Sequence, residues 1–205
     1  MANKVKLICE FRVTLLGIEP AVWRMIQVPA SYTFWDLHVA IQDSMGWLDY
    51  HLHKFQIKKP RGRKLIDIGI PDGESGDDPL PGWKVPISEY FGEPGARAAY
   101  VYDFGDQWRH EILLEGVRIR SETVKYPVCM DGERACPPED CGSISGYERL
   151  LKAIASPGTA IYREKCWWLK NHAKNYFPYR PDHFAPNQVE FSDSSKRLRM
   201  LFEHY

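Results

Sequence analysis

The sequence predicts an α+β chain forming a single domain over residues 1–205, β-rich over about 1–120 and helix-rich over about 121–205. Three observations carry this. The front half alternates apolar and polar residues with a period of two. The back half carries helix-capping and helix-stopping signals around apolar residues spaced at helical intervals. Strands and helices do not alternate regularly, so a parallel doubly wound sheet is not expected. A length of 205 residues suits one well-buried core.

In chain order, Val5, Leu7, Cys9, Phe11, Val13 and Leu15 mark one face of a half-buried strand. Gly17, Glu19 and Pro20 supply a turn, and residues 22–28 read as a second, antiparallel strand. Thr33 followed by Asp36 has capping-box spacing. Phe34, Leu37, Ile41 and Met45 then share a helical face and Gly46 stands at the C-cap, so a helix is expected over 34–45. Residues 51–57 read as a third strand with Phe55 and Ile57 inward. The chain therefore opens strand–strand–helix–strand, the element order of a β-grasp roll. Residues 65–70 suit a short edge strand, and the Pro- and Gly-dense stretch 71–95 suits a long excursion with one helical turn near 88–91.

Residues 98–103 and 108–116 predict a further β-hairpin, turning at Phe104-Gly105-Asp106 with Gly105 at positive φ. Ser145 and Glu148 have capping-box spacing and open a helix through Tyr147, Leu150, Leu151 and Ile154, which Pro157 ends. Helices over 161–172 and 193–202 follow, separated by an aromatic, proline-broken loop.

Four strings in this order carry a family resemblance: VWRMIQVPASYTFWDLHVAIQDSMGW (22–47), HLHKF (51–55), YVYDFGDQWRHEI (100–112) and YPVCMDGERACPPEDCGSISGY (126–147). Together they resemble the family named after the third open reading frame of a root-inducing plasmid, some members of which are labelled insertion-sequence passenger proteins. The likeness spans about residues 5–155, and the remainder matches loosely. One departure is Ser143-Ile144-Ser145, where the family more usually shows a second glycine and then Gly-Tyr; it bears on the backbone path of that loop. The resemblance implies a compact α+β domain found in plasmid, phage-like and chromosomal settings. It implies no activity.

Lys+Arg and Asp+Glu both number 27, and this zero net charge argues against a general nucleic-acid or membrane-surface binder. No run approaches the ~18 apolar residues of a membrane-spanning helix. Without a signal-peptide pattern at the start, a soluble cytoplasmic protein is expected. The five cysteines then suit free thiols or metal ligands better than a disulfide framework.

Two constellations could carry chemistry. Cys129, Cys136 and Cys141 are spaced C-x6-C-x4-C in a loop able to wrap zinc, or are small buried groups in a proline-stiffened loop. His51 and His53, two apart on a strand, would leave the same face; with His110, Asp103 and Asp106 they would suit Zn²⁺ or Fe²⁺ with an open position. The plainer reading has Asp103 and Asp106 bonding hairpin amides and the histidines as satisfied polar groups at a sheet edge.

A local nucleic-acid surface has its own candidates. Lys58, Lys59, Arg61 and Arg63 form a basic run, while Trp167, Trp168 and Tyr176 interleave with basic residues in the tail. The acidic residues of 72–78 lie close enough to neutralise the basic run. Two functional expectations follow. One is a binding or accessory module, linked to mobile elements, that recognises a protein or nucleic-acid partner. The other is a metal-dependent, hydrolase-like enzyme using the His/Asp/Cys cluster.

Overall fold

The computed structural model describes residues 6–60, 62–71 and 78–203. Its frame is an eight-stranded sheet of β1 (Leu7–Leu15), β2 (Val22–Pro29), β3 (His53–Lys58), β4 (Leu65–Gly69), β5 (Leu80–Pro81), β6 (Arg97–Tyr102), β7 (Trp108–Ile119) and β8 (Val128–Glu133). The spatial order is β5-β4-β3-β6-β7-β1-β2-β8. Every neighbouring pair is antiparallel except β4 with β5.

The period-two alternation of β1 does what it predicts from Cys9 onward, where Cys9, Phe11, Val13 and Leu15 are buried in one core, whereas Leu7 is exposed at the strand's start and Val5 lies outside the described residues. Helix α1 (Phe34–Met45) supplies Phe34, Leu37, Ile41 and Met45 to that core. The capping box forms, with the Asp36 N–H donating to Thr33 Oγ1 and the Thr33 N–H to Asp36 Oδ2. Gly46 closes the helix at φ 82°, a left-handed cap that glycine adopts without a Cβ penalty. The polar side of the sheet is laced by ion pairs such as Arg97–Glu111 at 2.6 Å.

The helical back comprises α2 (Ser143–Ile154), α3 (Ala160–Asn171) and α4 (Ser194–Glu203). Helix α2 packs on α3, and α4 packs on α1. No helix among the described residues is long and apolar enough to cross a membrane. The result is one compact α+β domain, as the sequence predicts.

Several local expectations are corrected. Strand β3 begins at His53, leaving His51 in the preceding loop. Strand β4 is not the sheet edge, because β5 pairs with it in parallel. The stretch 126–141 is not all loop: β8 pairs with β2 at the opposite edge, beyond the expected β-rich half. The β6–β7 turn spans five residues, and its left-handed positions are Asp103 and Gln107, both at φ 57°, not Gly105. Asp103 accommodates this by accepting the Gly105 and Asp106 N–H groups on Oδ1, so its side chain shapes the turn. Helix α2 opens at Ser143 behind Gly142 at φ 89°, with no side-chain cap; Ser145 already lies within the first turn, so its capping box does not form.

Candidate metal site

The loops that meet at one end of the sheet are hooked together by buried and part-buried hydrogen bonds. Trp47 Nε1 donates to the Pro137 carbonyl at 2.9 Å, and the Leu48 N–H donates to Glu139 Oε2 at 2.6 Å. The Tyr102 hydroxyl accepts the Tyr50 N–H at 3.0 Å and donates to Glu139 Oε1. Glu139 is buried, and among the described residues no cation lies within ion-pair distance of it. Its carboxylate is held by these donors alone, a satisfied polar network that ties segments distant in sequence. Burial and the bond to Glu139 push the Tyr102 phenol well above its usual range, so it stays a donor.

The residues that follow three of the hooked ones enter the site: His51 after Tyr50, Asp103 after Tyr102, and Asp140 after Glu139. His51 Nε2 lies 3.0 Å from Asp140 Oδ1 and 3.6 Å from Asp103 Oδ2. One ligand atom from each of the three lies within 4.8 Å of the others, and this is the one such group among the described residues. His172 Nε2 faces the second oxygen of Asp140 at 3.7 Å, while its Nδ1 accepts the Lys174 N–H. With Nδ1 accepting, Nε2 carries the proton that faces Asp140, just beyond hydrogen-bond distance. Asp140, like Asp103, stands at φ 57°, an uncommon conformation for a residue with a Cβ.

The site has a closed and an open side. The Asp103 and His172 side chains are 11% and 8% exposed, against 50% for Asp140. A cavity of about 130 Å³ adjoins it, lined by Asp140, Cys141, Arg149, Lys165 and Trp168. One imidazole nitrogen and two carboxylates suit Zn²⁺, Fe²⁺ or Mn²⁺, with positions left for water or substrate.

The structure redistributes the residues singled out from the sequence. His51 and Asp103 meet as ligand candidates, and Asp106 supports them by accepting the Gly142 N–H at 3.2 Å. His53 does not share their face. It is buried and stacked on His38, with ring centroids 3.4 Å apart, and burial holds its pKa well below the ordinary range. His110 is buried beside Tyr100 and Trp47, away from any sheet edge. The three thiols of the C-x6-C-x4-C spacing do not gather into a ligand group among the described residues. Cys129 and Cys136 are buried, and burial pushes Cys129 to about 11 and Cys141 to about 12.

Of the basic run, Arg61 lies outside the described residues; Lys58 and Arg63 are exposed, and Lys59 pairs with Glu89 at 3.3 Å. Trp168 packs edge-on against His172, and the Tyr176 hydroxyl accepts the Glu139 N–H. Neither ring stands free to stack on bases, whereas Trp167 is 68% exposed. Asp140 and His172 were missed from sequence. Asp140 adjoins Cys141 in the string 126–147, a signal outweighed by the cysteines, and His172 had no local signal.

An α+β domain with a His/Asp cluster at the end of its sheet is the class these features define. The chain belongs to the plasmid pRiA4b ORF-3-like protein family, whose model matches residues 7–188. It is 32% identical over 162 residues to the uncharacterized protein y4hQ of Sinorhizobium fredii (strain NBRC 101917 / NGR234), covering 78% of this chain and 80% of that one. The fold matches the crystal structure of a protein of unknown function, MM3350 from Methanosarcina mazei Go1, with a TM-score of 0.80 and 37% identity. That match covers 92% of this chain and 100% of the other.

Proposed function

We propose that this chain binds a divalent transition metal through His51, Asp103 and Asp140 and uses it for hydrolase-like chemistry. The observation that carries this reading is the convergence of three ligand atoms, from three separate segments, within 4.8 Å. A metal there would lower the pKa of a bound water and generate hydroxide near neutral pH. Arg149 and Lys165 in the adjoining cavity suit an anionic group on the substrate. Five unpaired thiols support a reducing, cytoplasmic setting.

Thermal unfolding of tag-free protein tests this reading. A metal that binds only the folded state raises the midpoint by mass action. Zn²⁺ or Mn²⁺ should raise it and EDTA should reverse the gain. An unchanged midpoint with Zn²⁺, Mn²⁺ and Fe²⁺ would contradict the reading.

A second reading, the binding module, is favoured by one surface. Arg163, Trp167 and Lys170 are all exposed and spaced to share one face of α3. Such a stripe suits phosphate contacts flanking a stacked base. Salt-dependent binding of single-stranded nucleic acid, weakened in Trp167→Ala, would support it; no binding at low salt would leave protein partners for this surface.

A further inference from the structure

Arg24 on β2 is 1% exposed, yet among the described residues it has no acidic partner. Nε donates to the Ser44 carbonyl at 2.8 Å, and Nη1 donates to the Trp23 and Glu133 carbonyls at 2.7 and 2.9 Å. One face of the guanidinium is covered by the Phe184 ring at 3.6 Å. Nη2 makes no hydrogen bond, and among the described residues no carboxylate lies within 4 Å of this side chain. A guanidinium does not shed its charge, so burying one without a counter-ion is unfavourable unless something else supplies the negative charge.

Arg24 lines a cavity of about 500 Å³ between α1, the residues that follow β8 and the segment running from Lys174 to Val189. Lys174 stands in the same wall and donates to the Gly46 carbonyl, which leaves two of its three ammonium donors. Asp43 also lines the cavity, but Arg197 and Ser192 already engage its carboxylate. Met45, Phe184 and Val189 make the rest of the lining partly apolar. The cavity is therefore lined by cations and apolar side chains together, with Phe184 against the Arg24 guanidinium itself and that cation preorganised by three main-chain carbonyls.

We propose that this cavity binds a small organic anion, its phosphate or carboxylate head on Arg24 Nη2 and Lys174 and its apolar body on Met45, Phe184 and Val189. The site shares no residue with His51, Asp103 and Asp140 and does not rest on the metal reading.

Calorimetric titration of the full chain with phenyl phosphate, benzoate and inorganic phosphate, in low chloride with EDTA present, tests the proposal. One aromatic anion should bind with a stoichiometry near one, about tenfold tighter than inorganic phosphate. The tighter of phenyl phosphate and benzoate identifies the head group. Saturation should shift the Arg24 guanidinium resonances in nitrogen-edited NMR. Lys174→Met should weaken binding about tenfold, and Arg24→Met should abolish it. Because Arg24 is buried, Val189→Trp, which fills the cavity, gives a second route to the same loss. Absence of binding by all three anions, or unchanged affinity in both Lys174→Met and Val189→Trp, would overturn the proposal.

Discussion

The Tyr102 hydroxyl donates to the buried Glu139 carboxylate while accepting the Tyr50 N–H at 3.0 Å. One oxygen thus joins the segment entering His51, the strand end before Asp103 and the residue before Asp140. Replacing Tyr102 by Phe leaves Glu139 Oε1 and the Tyr50 N–H without this partner. Urea unfolding should report a loss of about 1–3 kcal/mol. Metal affinity should fall about tenfold as well, because outer contacts orient ligands. A stability loss with unchanged metal affinity would mean that the seam does not position the site.

Gly146 predicts a second dependence. A Cβ built on it would stand 1.9 Å from the Cys141 carbonyl oxygen, inside backbone that cannot swing away as a side chain would. Gly146→Ala should therefore displace the 140–142 loop and cost about 1–3 kcal/mol through overpacking. Zn²⁺ binding should weaken in parallel, since Asp140 rides on that loop. A variant with normal stability would contradict the close approach.

His110 predicts a pH dependence. It is fully buried opposite Tyr100, and among the described residues neither ring nitrogen has a hydrogen-bond partner. Burial lowers its pKa to about 3 from an ordinary 6.5. The unfolded chain therefore takes up a proton at this residue below pH 6.5 that the folded chain refuses down to about 3. Stability should fall as pH drops through that window, by about 2 kcal/mol between pH 8 and pH 5 for this group. Urea unfolding of wild type and His110→Phe at pH 8 and pH 5 isolates it. The variant should lose less stability than wild type on acidification, and equal losses would contradict the assignment.

Much of the frame was legible because its signals are local. Thr33, Asp36 and Gly46 lie within one helix, and Phe11 and Val13 within one strand, so spacing alone reveals them. Strand β8 was not legible, since Cys129 is its one buried residue and no alternation betrays it. The hairpin turn misled because its glycine drew the positive φ that Asp103 takes with its own side-chain bonds. The site was half legible. His51 and Asp103 have the right chemistry, but the partner of His51 is Asp140, 89 residues away, and only the fold brings them together. His51 and His53 part company because β3 begins at His53, whose period-two register with Phe55 and Ile57 turns it into the core.

The account's central claim is that His51, Asp103 and Asp140 form a metal site, and calorimetric titration of tag-free protein with Zn²⁺ at pH 7.5 tests it most directly. His51→Ala alters a half-exposed loop residue. Asp140→Asn keeps a side chain that tolerates the left-handed backbone. Wild type should bind one equivalent, and each variant should lose about 10–100-fold in affinity. A wild-type protein that takes up no Zn²⁺, or variants that bind it as wild type does, would contradict the account.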